Sequence, residues 1–391
     1  MEIDNTQLYS SGLVQPQPKK KIDKKNLTIF IIAFAIPVIL GLIGYYVYSV
    51  KARNPIDLKS PLSRSQNDGS QKADVMNPLT GVLYTPFAAQ EWLDNRPLAV
   101  MVNNHVDARP QSGLIYTDVV YEIVAEGGIT RFIAFFLTNT PEKIGPVRSA
   151  RHYFFIPVKE LGDAMIMHIG WSPQAIEAID TWPVRSLFKG GADFWRDNPR
   201  NVATEHTAFV NGKYLREVGN ELGWEGKREI TPWKFKDETI PPVANEIGLV
   251  GEFEPIQVNF WYEGDYTAIW KYNRDTNSYL RFSGFDLEGN PIPLFDQEQT
   301  TTQVSAKNLI VLYVTELSID GDDKNRLDYE LVGSGQGVVF IDGTSIPVTW
   351  SKASRDDRTM LYDESGNEVV FNRGNFWIMV VPDRNIDQVI Y

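Results

Sequence analysis

The sequence predicts an α/β N-terminal ectodomain and a β-rich C-terminal domain, preceded by one transmembrane helix. Three observations carry this. Between Arg96 and Gly170, apolar runs of strand length (LAVMV, VVYEIV, FIAFFL, AMIMHI) alternate with short polar segments, the pattern of buried strands in an α/β sheet. From about Gly251 the chain turns β-branched and aromatic, as in NLIVLYVTELSI and GQGVVFIDGTSIPVTW, with turn signals such as Asp342-Gly343 between the runs. Leu27 to Val50 contains no charged residue, and at ~1.5 Å per residue it crosses a hydrocarbon core of about 30 Å.

Taken in order, residues 1–26 are polar and end in QPQPKKKIDKKN, which reads as a cytoplasmic tail. Residues 27–50 are the transmembrane helix, with Tyr45, Tyr46 and Tyr48 at one end as an aromatic belt. Five lysines lie just before the span, so the positive-inside rule puts the N-terminus inside and the body outside the plasma membrane as a single-pass protein. A cleaved signal peptide would have a shorter apolar run and a small-residue cleavage site. Residues 51–76 are a polar linker, 77–225 an α/β domain, 226–250 a connector and 251–391 the β-rich domain. Within the first domain, Leu98–Val102, Val119–Val124, Phe132–Leu137 and Ala164–Ile169 read as strands. Ser149–Leu161 reads as a helix interrupted at Pro157. Ser172-Pro173 reads as an N-cap with proline at the first helical position. Residues 189–212 form a long irregular loop, the kind that tends to carry function.

Charge and cysteine content narrow the function. Residues 1–60 hold eight basic residues against four acidic ones, and the rest of the chain holds 30 against 46. An acidic body argues against nucleic acid as a partner. Any anionic ligand must then be held by a local arginine cluster against the general field. The chain has no cysteine, which excludes disulfides, thiolate chemistry, Cys-ligated metals and a lipid-modified N-terminal cysteine.

The candidate site residues sit just past the ends of apolar runs, where open α/β sheets bind ligands. Arg109, Arg131, Arg148 and Arg151 offer forks that match phosphate or carboxylate oxygens. If Val147–Arg151 opens a helix, Arg148 and Arg151 share a face near its positive end. The alternative is that these arginines form structural ion pairs with Asp107, Asp118, Glu122 and Glu126. His105 and His168 end strand-like runs, and His206 lies in the long loop. No close histidine pair marks a metal site, so no metal and no cofactor is expected. Asp118 and Glu126 are the candidate bases should the site be catalytic. Glu122 and Glu126 could act on a glycosidic bond, against a solvated strand face with an arginine partner. Trp171 and Trp195 flank the region and could stack on sugars.

The strings Asn77-Pro-Leu-Thr-Gly81, Ala108-Arg-Pro-Gln-Ser-Gly113, Glu126-Gly-Gly-Ile-Thr-Arg131 and Ile144-Gly-Pro-Val-Arg-Ser-Ala-Arg151 resemble the YerB-like family of bacterial envelope proteins. Tyr279-Leu-Arg281, Ala306-Lys-Asn-Leu-Ile310, Trp350-Ser-Lys352 and Gly374-Asn-Phe-Trp377 extend the resemblance over nearly all of residues 77–383. It implies an extracytoplasmic, membrane-attached protein with N- and C-terminal domains of unknown function. Family members are often lipoproteins; this chain lacks the cysteine and would use its helix instead. A weaker likeness, at the level of topology, is to the LytR-CpsA-Psr phosphotransferases, but Ser149 stands where that family has an aspartate. The expectation is an envelope protein that binds an anionic or glycan cell-wall ligand (peptidoglycan or a wall polymer) through an arginine-rich pocket. The alternative is a glycan phosphotransferase or hydrolase using the same pocket, which would call for a divalent cation. Ligand identity and oligomeric state are not written in the sequence.

Overall fold

The computed structural model describes residues 72–237, 254–322, 324 and 326–391. The expected transmembrane segment, 27–50, lies outside the described residues, as do the cytoplasmic tail and most of the linker. Among the described residues no helix is long and apolar enough to cross a membrane.

A ten-stranded sheet dominates. Its strands are β1 (Leu98–Asn103), β2 (Val119–Glu126), β3 (Ile129–Phe136), β4 (Met165–Met167) and β5 (Arg185–Ser186) from the first half. A second sheet takes β6 (Ile256–Val258), β7 (Ala268–Asn273), β8 (Ser278–Phe285) and β9 (Pro291–Pro293). The second half returns β10 (Asn308–Val314), β11 (Gly333–Ile341), β12 (Thr344–Lys352), β13 (Met360–Asp363) and β14 (Phe376–Pro382) to the large sheet, and β15 (Val389–Ile390) closes the small one. The large sheet runs β13-β12-β11-β10-β14-β2-β3-β1-β4-β5, and the small one runs β9-β8-β7-β6-β15. The two sequence segments therefore build one sheet. They meet at β14, which pairs in parallel with β10 on one side and β2 on the other.

Alternation along β2 explains the layers. Successive side chains on a strand face opposite ways. Tyr121 lies on the side of Glu160, in helix α1 (Phe155–Glu160). Glu122 points the other way and meets Arg281 of β8. The small sheet thus covers one face of the large sheet and α1 the other. Strands buried on both faces must be apolar throughout, and β1 reads LAVMVN with every residue buried.

The hairpin between β2 and β3 turns at Gly127-Gly128, both at positive φ, as the paired glycines predict. Ser172 caps helix α2 (Pro173–Thr181) by accepting from Ala175 N at 3.1 Å. Helix α3 (Gly212–Glu221) starts under the cap of Asn211. The expected helix over Ser149–Leu161 is shorter. Residues 147–151 are extended because their backbone is engaged elsewhere: Val147 N donates to Ala208 O, Arg148 N to Met101 O and Ala150 N to Gly170 O. Pro157 falls in the first turn of α1, where its missing N–H costs nothing.

Candidate anion-binding site

The ends of β1, β3 and β4 bring most of the predicted residues to one edge of the large sheet. β1 ends in Asn103, followed by Asn104 and His105. Both asparagines are buried, and buried amides must be bonded. Asn103 Oδ1 accepts from His105 N at 3.0 Å, and its Nδ2 bonds His206 Nδ1 at 2.8 Å. Asn104 Oδ1 accepts from Arg109 Nε at 3.1 Å and Gln111 Nε2 at 3.2 Å, while its Nδ2 donates to Thr130 Oγ1 at 2.8 Å. Thr130 in turn donates to Glu122 at 2.9 Å. The rim of the site is tied by hydrogen bonds to the centre of the protein.

His206, from the long loop, stacks on His105 with centroids 4.3 Å apart and planes 12° apart. Burial, then the neighbouring His105 and Arg148, hold the His206 imidazole below its usual range. Arg148 follows the strand-like step that Val147 makes against β1. It is half-buried, and its guanidinium makes no hydrogen bond or ion pair with any described residue. Its charge acts on His206, Glu205 and Arg131.

The other arginines are occupied. Glu126 is clamped between Arg131, at 3.2 Å, and Arg151; Arg131 also donates to Ser149 O at 2.6 Å. Arg148 and Arg151 therefore do not share a helix face: the extended 147–151 segment sends one to His206 and the other to Glu126. Arg109 lies 5.4 Å over the Tyr266 ring and donates to Ser283 O at 3.4 Å, while its Nη2 is buried without a partner. Burial lowers Arg109 and Arg131 to about 10 each.

Asp118 stands apart. Its carboxylate accepts from Leu137 N at 2.7 Å, Asn77 Nδ2 and Thr138 Oγ1 at 2.9 Å each, and Thr138 N at 3.2 Å. It ties the Asn77 loop to the end of β3 and is not at the Arg148 edge. Burial nonetheless pushes its carboxyl up. Glu122 is not on a solvated face: it is fully buried and receives Arg281 at 2.8 and 3.1 Å and Trp377 Nε1 at 2.8 Å.

His168 is fully buried after β4. Its Nδ1 bonds Gly170 O at 2.9 Å and its Nε2 bonds Ser186 Oγ at 2.8 Å. That donor order resembles a nucleophile and its base. But Ser186 is 1% exposed and also accepts from Lys189 N at 3.2 Å, so no substrate reaches it. The pair closes the turn after β5, and burial pushes His168 down to about 4. Trp171 is 39% exposed and packs edge-on to His168 at 5.9 Å. Trp195 is 40% exposed, so both tryptophans are open to stacking.

Sequence reasoning missed four participants. Asn103 and Asn104 signal themselves as a polar doublet closing an apolar strand. Tyr266 carries no local signal. Arg281 is visible only as part of a string in the β-rich half, with nothing to announce a carboxylate partner 159 positions away.

The comparisons with known proteins agree with this architecture. Residues 79–225 match the family model described as the N-terminal domain of a protein of unknown function (DUF3048), and residues 256–378 match its C-terminal domain. The chain is 30% identical over 309 residues to the "Putative lipoprotein YerB" of Bacillus subtilis (strain 168), covering 78% of this chain and 86% of that one. The chain belongs to the YerB-like family. The crystal structure of the Bacillus subtilis YerB protein superposes with a TM-score of 0.66 over 81% of this chain and 99% of that chain, at 30% identity. The YerB-like strings map onto the scaffold and the site alike. Asn77 holds Asp118, the ARPQSG string supplies Arg109 and Gln111, and the IGPVRSAR string supplies Arg148 and Arg151.

Proposed function

We propose that this YerB-like chain is a membrane-attached, extracytoplasmic envelope protein that binds an anionic ligand carried on cell-wall glycan or wall polymer. The observation that carries the reading is Arg148, a partly exposed side chain whose guanidinium has no partner among the described residues. A guanidinium that the fold leaves unpaired and open to solvent is available to an anion from outside, and in a protein with a strongly acidic body it is a local exception to the general field. Exposed Trp171 and Trp195 supply faces for sugar rings. Glu126 is held by two arginines and Asp118 is bonded within the scaffold, which supports binding over turnover. The lipoprotein naming of the Bacillus relative and the apolar run 27–50 both support attachment with the body outside, by the single-pass anchor in this chain.

The test uses the full chain in detergent. Purified cell-wall sacculi are expected to retain it, and Arg148→Ala is expected to weaken retention by at least about tenfold, a charge-assisted contact being worth roughly 1.5–3 kcal/mol. Mass spectrometry of the wall fragments reads turnover; an Arg148-dependent product would replace binding by catalysis. Because the chain has no cysteine, topology can be read with single introduced thiols. Ala353→Cys is expected to react with a membrane-impermeant maleimide on intact cells, and Ser11→Cys to stay protected. The reverse pattern would overturn the orientation.

A further inference from the structure

We infer that His105 and His206 form a donor-only pair beside Arg148, which takes an oxyanion of the phosphoryl class and is closed to divalent metal. The inference rests on the reading of Arg148 as a ligand contact and names what that ligand carries.

Asn103 decides the hydrogens. Its side-chain oxygen accepts the backbone N–H of His105, so the other end of the amide is NH2. That NH2 donates to His206 Nδ1. A ring nitrogen that accepts carries a lone pair, so the neutral His206 ring holds its proton on Nε2. His105 obeys the same rule, because its Nδ1 accepts from Asp107 N at 3.2 Å. Both neutral rings therefore present Nε2–H, and neither Nε2 has a hydrogen-bond partner among the described residues.

By distance alone the place suits a cation. One ligand atom from each of His105, Asp107 and His206 lies within 4.8 Å of the others, and Asp107 Oδ2 is 3.6 Å from His105 Nδ1. The hydrogens oppose it. A metal-binding histidine needs a lone pair toward the metal and an N–H toward an acceptor on its other side. Here the far side of each ring meets a donor. A cation at the two Nε2 atoms faces two N–H groups, and a cation at the two Nδ1 atoms must displace Asp107 N–H and the Asn103 amide.

An oxyanion meets the same atoms favourably. The Arg148 fork takes two oxygens, which occupies both oxygens of a carboxylate. A free phosphate or a phosphomonoester keeps a third oxygen for an imidazole donor, whereas a phosphodiester, with two free oxygens, does not. Asp107 and Glu205 are the opposing charges nearby, and they bias the site toward a ligand held by hydrogen bonds as well as by charge.

The test is long-range proton–nitrogen correlation on the full chain, labelled at histidine nitrogen, in detergent. Both rings are expected as Nε2–H tautomers. Inorganic phosphate, glycerol 3-phosphate and phosphatidic acid vesicles are run in parallel. A shift of both rings with any of the three supports the pair and identifies its source, while equimolar zinc is expected to leave them unmoved. An Nδ1–H tautomer at either ring, or a zinc shift of both, overturns the inference. In Asn103→Asp the new carboxylate would accept a hydrogen bond from His206 Nδ1–H, shifting the ring to the Nδ1–H tautomer and leaving a lone pair on Nε2. The expected result is about tenfold weaker phosphate response and a gained zinc response at His206; the wild-type tautomers decide the question if that variant does not fold. Retention on sacculi through Arg148 with both rings silent to all three phosphoryl probes overturns this inference and leaves the earlier reading. Ring shifts with phosphate but Arg148-independent retention overturn the earlier reading alone.

Discussion

Arg281 and Arg148 sit in opposite settings, one closed in the interior and one partly exposed at the sheet edge. Arg281 is fully buried, bonds both oxygens of Glu122, and lies 5.0 Å from the Trp270 ring and 5.2 Å from the Trp377 ring. Arg148 is half-buried and bonds nothing among the described residues. The lesson concerns how an arginine is read. Burial alone does not separate scaffold from site; the supply of acceptors does. Where the fold provides a carboxylate on every side, as at Glu122 or at Glu160 between Lys352 and Arg358, the cation is structural. Where the fold withholds one, the acceptor must come from elsewhere.

The contrast can be broken most forcefully at its closed end. Glu122→Ala strands the Arg281 charge in the interior and is expected to cost about 3–5 kcal/mol, read by chemical denaturation through tryptophan fluorescence. A loss under about 1 kcal/mol would mean the pair is not the clamp between the two halves.

The two histidine environments sharpen it next. His168 is held at about 4 against an ordinary 6.5. A base with a depressed folded pKa contributes stability above its unfolded value and loses it as pH falls through the folded one. The loss between pH 6.5 and pH 4 is expected to be about 3 kcal/mol. His168→Gln should flatten the pH–stability curve in that window, and an unchanged slope would refute the assignment. At more acid pH Glu160 adds its own loss. Burial raises its carboxyl, but Lys352 and Arg358 outweigh that and hold it below 4.5, so its contribution fades as pH drops under that value.

Arg151→Ala is intermediate. Glu126 is partly exposed and keeps Arg131, so the expected loss is about 1 kcal/mol or less, measured by the same denaturation. Arg148→Ala should move stability least, within about 0.5 kcal/mol, while retention on sacculi falls. If it unfolds the protein instead, Arg148 has a structural partner and the contrast with Arg281 collapses.

Much of the fold was legible because burial on both faces forces continuous apolar runs. LAVMV, VVYEIV and FIAFFL could be little else, and the Gly127-Gly128 turn and the Ser172 cap follow from local chemistry. The joining of both halves into one sheet was not legible, since β14 and β2 are apolar in the same way and nothing local records which partner each takes. The candidate site was legible as a set of residue types at strand ends. Arg148 was singled out by its setting, but the helix expected to carry it gave way to backbone hydrogen bonds donated to the carbonyls of Ala208, Met101 and Gly170. Asp118 looked like a free acid before a strand. Its acceptors are consumed by Asn77 and by the 137–138 backbone, partners visible only once β3 runs back beside β2. His206 could be noticed in its loop but not placed, because its ring partner is 101 positions earlier in the sequence.

The position of β14 also sets a timetable. The strand between β2 and β10 is made from residues 376–382, so the first half emerges with the edge of β2 unpaired and the Glu122 carboxylate without Arg281 or Trp377. A growing chain with an open parallel edge and an unneutralised interior acid cannot settle into its native state early. The native sheet is therefore completed only when residues 376–382 are in place, close to the C-terminal end of the sequence.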